Sequence, residues 1–75
     1  MAKKSSSKDS VYRITELVGT STNSWEEATS NAVMTASSTL RDIRIAEVTK
    51  LDVVIDGGKV TAYRARVSLS FKYEK

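Results

Sequence analysis

A chain of 75 residues supplies one domain at most, near the lower limit of independent stability. It contains no Cys and no His, which excludes reinforcing disulfides, the common zinc ligand sets and the usual general base near neutral pH. Its formal net charge is +3, of which Lys3, Lys4, Lys8 and Asp9 place +2 in the first ten residues, so the nearly neutral body is a poor electrostatic match for a nucleic-acid backbone, and no nucleic-acid partner is expected.

The opening MAKKSSSKDS (1–10) is polar and basic, and reads as a flexible tail ahead of a domain spanning 11–75. It lacks the apolar segment of a secretory signal. No run approaches the roughly 18 apolar residues of a membrane span, so no membrane partner is expected and the cytoplasm is the expected location.

VYRITELV (11–18) alternates and is rich in β-branched residues, predicting a strand with Tyr12, Ile14 and Val18 on one face and Val11 and Leu17 on the other. GTSTNS (19–24) reads as punctuation, Gly19 offering the positive φ of a sharp exit. Ser24-Trp25-Glu26-Glu27 has the form of a capping box, with Glu27 reaching back to the Ser24 amide. The helix it opens runs through SWEEATSNAVMTASSTL, with Trp25, Ala28, Ala32, Val33, Ala36 and Leu40 in one stripe. Arg41 is placed to complement the helix dipole in its last turn.

A hairpin follows. IRIAEVTKLDVVI (43–55) and VTAYRARVSLSFKY (60–73) flank Asp56-Gly57-Gly58-Lys59, a strong two-residue turn signal. In the second of these strands Tyr63, Ala65, Val67, Leu69, Phe71 and Tyr73 line one face. In the first, Ile43, Ile45, Leu51, Val53 and Ile55 share a parity while Ala46, Val48 and Val54 share the other. A strand apolar on both sides expects cover on both sides. Strands of about 13 residues reach roughly 40 Å, whereas a helix of about 17 residues reaches roughly 25 Å. One helix cannot cover such a hairpin, and other copies of the chain are the expected cover. The predicted fold is α+β, in the order β-α-β-β, a three-stranded antiparallel sheet folded against one helix.

Taken together, Glu16-Leu17-Val18-Gly19-Thr20-Ser21, Thr39-Leu40-Arg41, Glu47-Val48 and the closing Val67-Ser68-Leu69-Ser70-Phe71-Lys72-Tyr73-Glu74 resemble the dodecin family over residues 11–74. None of these pieces is a catalytic motif; their order and spacing carry the likeness. The resemblance implies a non-enzymatic storage protein built as a hollow homododecamer with 23 symmetry. It also implies flavin (FMN or riboflavin) held in pairs between Trp rings. Here the sequence departs from the pattern: Ile45 stands where the stacking Trp belongs and Arg64 where a Gln bonds the flavin edge. Ile offers no π face, and Arg64 can donate but not accept. The shell is therefore expected and the usual flavin sandwich is not. The Ser-Trp-Glu helix start and Asp42-Ile43-Arg44-Ile45 strand start resemble a flavin-poor branch, some of whose members bind calcium.

Calcium needs six to eight oxygens, and the hairpin offers Glu47, Asp52 and Asp56. Four strand residues put Asp52 about 13 Å from Asp56, so a site would need carbonyls, waters or neighbouring copies. Arg64 is read either as facing an anionic ligand beside Ile45 or as a salt-bridge partner of Glu47 or Asp52 in another subunit. Trp25 reads as a packing residue of the cap region. Catalysis is not expected: none of the eleven Ser residues has a visible activating partner, and no P-loop or dinucleotide fingerprint occurs. Two further readings stay open, a scaffold shell with no dedicated ligand and a flavin-binding dodecin with a non-standard pocket.

Overall fold

The computed structural model describes residues 11–72, so the basic tail, Tyr73 and Glu74 lie outside the described residues. The elements are β1 (Tyr12–Ser21), α1 (Trp25–Ser37), β2 (Ile43–Asp56) and β3 (Lys59–Lys72). They form a three-stranded antiparallel sheet in the order β1-β3-β2, as the α+β reading requires.

The first strand is longer than its alternation suggested. Gly19, Thr20 and Ser21 continue it, paired with Ala65, Arg64 and Tyr63. Gly19 keeps an ordinary negative φ, unlike Gly57 and Gly58; what it supplies is room. A Cβ there would lie 2.0 Å from the Ala28 carbonyl oxygen and 2.9 Å from the Ala32 side chain. The strand is consequently in backbone contact range of the helix, and only the residue without a side chain fits.

Ser24 caps α1, its hydroxyl accepting from the Glu27 amide at 3.0 Å. The reciprocal half of the expected capping box is replaced: Glu27 Oε1 accepts from Ser21 Oγ at 2.5 Å and from Asn23 Nδ2 at 2.7 Å. Ser21 Oγ in turn accepts from the Asn23 amide. The helix stops at Ser37, with no basic residue in its last turn, so Arg41 lies beyond it. Ser38 and Thr39 end it by donating their hydroxyls to the Thr35 and Ala36 carbonyls, the competition with helical bonding that such side chains offer. Asp42 then takes φ 59°, a left-handed value that Asp tolerates better than bulkier residues.

The core is small. Ala28, Ala32 and Ala36 from α1 meet Ala65, Val67 and Leu69 from β3, with Leu17, Val33, Leu40 and Ile43 partly buried around them. The helix covers β1 and β3 and barely touches β2. Gly57 and Gly58, at φ 59° and 79°, make the tight turn that the Asp-Gly-Gly-Lys sequence signalled.

The face assignment of β2 needs correction. Register shifts between Ile43 and Ile45 and between Val48 and Lys50 leave Arg44 and Thr49 as extra residues that interrupt its alternation, and a third, between Val54 and Ile55, leaves Thr61 over on β3. Because directly paired residues share a face, Ile43, Ala46, Val48, Leu51 and Val53 face the helix side through their partners on β3. Ile45, Glu47, Lys50, Asp52 and Val54 face the opposite, helix-free side. Each bulge inserts one residue and inverts the parity that follows it, so Ile45 does not share a face with Leu51 and Val53. On β1 it is Leu17, Gly19 and Ser21 that turn inward, and Tyr12, Ile14 and Val18 that are exposed.

Candidate functional site

The helix-free face gathers most of the side chains that the sequence nominated. Its ladder rows can be followed from one edge of the sheet to the other. Ile14, Ser70 and Ile45 form one row; Glu16, Ser68 and Glu47 the next; then Val18, Arg66 and Lys50; then Thr20, Arg64 and Asp52. Successive rows are about 7 Å apart along the strands and neighbours within a row about 5 Å apart.

Ile45 and Arg64 therefore lie on one face, but six β3 positions separate their rows, a distance of roughly 20 Å. One chain does not bring them together. Ile45 is 56% exposed and presents an aliphatic surface with no ring. Ile45 itself supplies no stacking plane, and the Arg64 guanidinium no acceptor.

Arg64 instead engages Asp52 in the same chain. Its Nε donates to Asp52 Oδ1 and its NH2 group to Oδ2, both at 2.8 Å. This is the two-pronged geometry that guanidinium and carboxylate favour. The bonds from Arg64 hold the Asp52 carboxyl below its ordinary range, and Asp52 raises the Arg64 pKa in return. The salt bridge expected between subunits is thus present within one. It joins β2 to β3 across a direct ladder pair.

The main chain of Asp52 is committed as well, its carbonyl accepting from Trp25 Nε1 at 3.0 Å. Trp25 packs edge-on to Tyr63, with ring centroids 5.1 Å apart and planes at 76°. Its packing role is therefore larger than a cap: it ties the first turn of α1 to both strands of the hairpin. That link joins residues 27 and 38 positions apart along the chain, which spacing alone does not reveal.

Of the other nominated carboxylates, Glu47 sits in the row with Ser68 and Glu16, and Asp56 pairs with Lys59 at the turn. Among the described residues no three His, Cys, Asp or Glu side chains gather as a metal centre. Both Asp52 oxygens accept from Arg64, so among the described residues one chain presents no assembled calcium ligand set. Sequence reasoning also missed an open cleft of about 450 Å³ at the far end of the sheet, where Arg13, Leu40, Arg41, Asp42, Phe71 and Lys72 converge. Its contributors come from both ends of the chain, and no local pattern marks them.

Comparison with known proteins places this geometry. The Dodecin family model matches residues 11–74. A calcium dodecin from Mycobacterium tuberculosis is 44% identical over 64 residues, covering 84% of this chain and 89% of that protein. The structure of dodecin from Streptomyces coelicolor superimposes with a TM-score of 0.84 at 39% identity, covering 89% of this chain and 96% of the other. The crystal structure of a calcium-chelating calcium dodecin from M. tuberculosis, with a novel calcium-binding site, gives a TM-score of 0.77 at 38% identity, covering 87% and 93%.

Proposed function

The chain belongs to the dodecin family, and from that premise we propose that it is a non-enzymatic binding and storage protein that works as a homo-oligomeric shell, taking a divalent cation in preference to stacked flavin. The observation that carries this reading is the imbalance between what the chain buries and what it exposes. Among the described residues the buried apolar side chains are four Ala, one Val and one Leu. Against that, Ile14, Ile45, Val48, Leu51, Val54, Ile55 and Val60 are all large, apolar and exposed. Burial contributes about 25 cal/mol per Å² of apolar area, and a core built chiefly of Ala supplies little of it. The missing burial is expected at contacts between copies, with twelve copies and 23 symmetry as the closed arrangement that the family likeness supports.

The preference for a cation rests on two supports. Ile45 and Arg64 remove the ring and the acceptor that a flavin pair would use, and a relative of 44% identity carries calcium in its name. Since the described residues of one chain gather no calcium ligand set, the donors would come from more than one copy, with Glu47 and Asp56 as carboxylate candidates. The scaffold reading, a shell with no dedicated ligand, is favoured instead by the Asp52–Arg64 pair, which consumes a nominated ligand.

Sedimentation of the purified protein tests the assembly: the expected species has roughly twelve times the 8.2 kDa chain mass, and a lone chain at micromolar concentration overturns it. Calorimetric titration with calcium on the assembled protein then separates the two readings. Saturable heat that disappears in the Glu47→Gln and Asp56→Asn double variant supports cation storage, and no heat at all supports the scaffold. A colourless preparation that leaves flavin fluorescence unquenched is expected under both.

A further inference from the structure

The Asp52–Arg64 pair has surroundings that give it a second meaning. One row along the helix-free face stand Arg66 and Lys50, so three cations occupy neighbouring positions around one carboxylate. Arg66 and Lys50 are exposed. The next carboxylates, Glu16 and Glu47, lie one row further on, beyond those two cations. The fork that Arg64 presents to Asp52 suits a phosphate oxyanion equally well. Arg64 and Asp52 retain side-chain exposures of 40% and 51%, and an ion pair so open to water is weak and can be displaced.

We propose that Asp52 is a built-in competitor for a phosphate-type oxyanion, occupying the Arg64 guanidinium in a cation group completed by Arg66 and Lys50. The inference rests on reading this sheet face as the ligand-bearing face of the protein. An incoming phosphate gains Arg64 only by displacing Asp52, and its remaining oxygens then meet Arg66 and Lys50. In the native chain the carboxylate wins at low phosphate because it is covalently tethered, an advantage of effective concentration. Its loss unmasks the site.

Inorganic pyrophosphate is the probe, titrated calorimetrically into the assembled protein at low salt. Asp52→Asn is expected to bind it at least tenfold more tightly than the native protein. Adding Arg64→Ala to that variant abolishes the gain. Glu16→Gln makes the same change in net charge two rows away and is expected to gain no more than about twofold. The Trp25 indole bonds the Asp52 main-chain oxygen, which Asp52→Asn retains, so unchanged Trp emission certifies the fold of each variant. The proposal is overturned if Asp52→Asn binds pyrophosphate no more tightly than the native chain. It is equally overturned if the gain survives without Arg64, or if Glu16→Gln reproduces it. Sedimentation of the same samples keeps this inference apart from the shell reading: an assembled protein whose Asp52→Asn variant ignores pyrophosphate sinks only the oxyanion site, and a lone chain that gains affinity sinks only the shell.

Discussion

Two residues of the β1–α1 junction, Gly19 and Glu27, show how much a single side chain decides here. At Gly19 the constraint is distance: a methyl group would have to occupy the space of the Ala28 carbonyl, 2.0 Å away. Backbone cannot yield as a flexible side chain does, so Gly19→Ala is expected to cost at least the 1–3 kcal/mol typical of overpacking, read as a lowered urea midpoint. A midpoint equal to the native one would mean that helix and strand are not so closely apposed. At Glu27 the constraint is electrostatic. Hydrogen bonds from Ser21 first, and then from Asn23, hold its carboxyl below the ordinary glutamate range. A carboxyl depressed on folding contributes stability above its unfolded pKa, and that contribution fades as pH falls through the folded value. Urea midpoints of the native protein should therefore decline between neutral pH and pH 3 more steeply than those of Glu27→Gln. Parallel declines would show that the Ser21–Asn23–Glu27 cluster is not formed in solution. Gly19 and Glu27 were both visible in the sequence, and the Glu27 amide does donate to the Ser24 hydroxyl as expected, but Gly19 and the Glu27 carboxylate were each assigned to the wrong partner. A turn and a capping box are local explanations, whereas the real partners belong to the far side of the junction.

Elements were legible in proportion to how local their causes are. The hairpin turn is the clearest: Asp56-Gly57-Gly58-Lys59 calls for positive φ at both glycines, and both have it. This supports a graded prediction. Gly57→Asn should be mild, because Asn tolerates the left-handed region. Gly58→Val should cost about 1–2 kcal/mol, seen as a lower melting temperature, and equal melting for the two variants would contradict the turn geometry. The alternation of β3 was legible for the same reason, since it is the central strand and each of its faces has one consistent environment. The faces of β2 were not. Its two inserted residues, Arg44 and Thr49, leave no compositional trace such as Gly, so parity counted along the sequence carried Ile45 to the wrong side. The helix was found but overextended, because Leu40 continues the apolar spacing past the point where Ser38 and Thr39 turn their hydroxyls onto the helix carbonyls. Periodicity reports which residues want burial, not which backbone groups will compete for bonds. The Asp52–Arg64 contact lay in between: both residues were singled out, yet only the ladder register makes them direct neighbours.

At the scale of the whole molecule the governing quantity is length. Strands of 14 residues extend to about 46 Å, and a helix of 13 residues to about 20 Å. The mismatch is larger than the sequence implied, because the helix is shorter and the strands slightly longer. Along all of β2 only Ile43 and Val53 are even half-buried, although both its neighbours on the helix-facing side, Val48 and Leu51, are apolar. These positions separate two demands that usually coincide. Leu51 is 52% exposed in the single chain, so replacing it costs the isolated fold little. If other copies cover it, the same replacement places a charge in a desolvated contact, which is strongly unfavourable. Leu51→Glu is therefore expected to convert the large species to a small one in sedimentation, while a control at Val67, fully buried within the chain, loses its fold and its assembly together when changed to Ala. Assembly linked to folding also makes the native melting temperature rise with protein concentration, and Leu51→Glu should abolish that dependence. A Leu51→Glu protein that sediments like the native one would show that this part of β2 faces water, and that the burial lacking in the single chain must be found elsewhere on its surface.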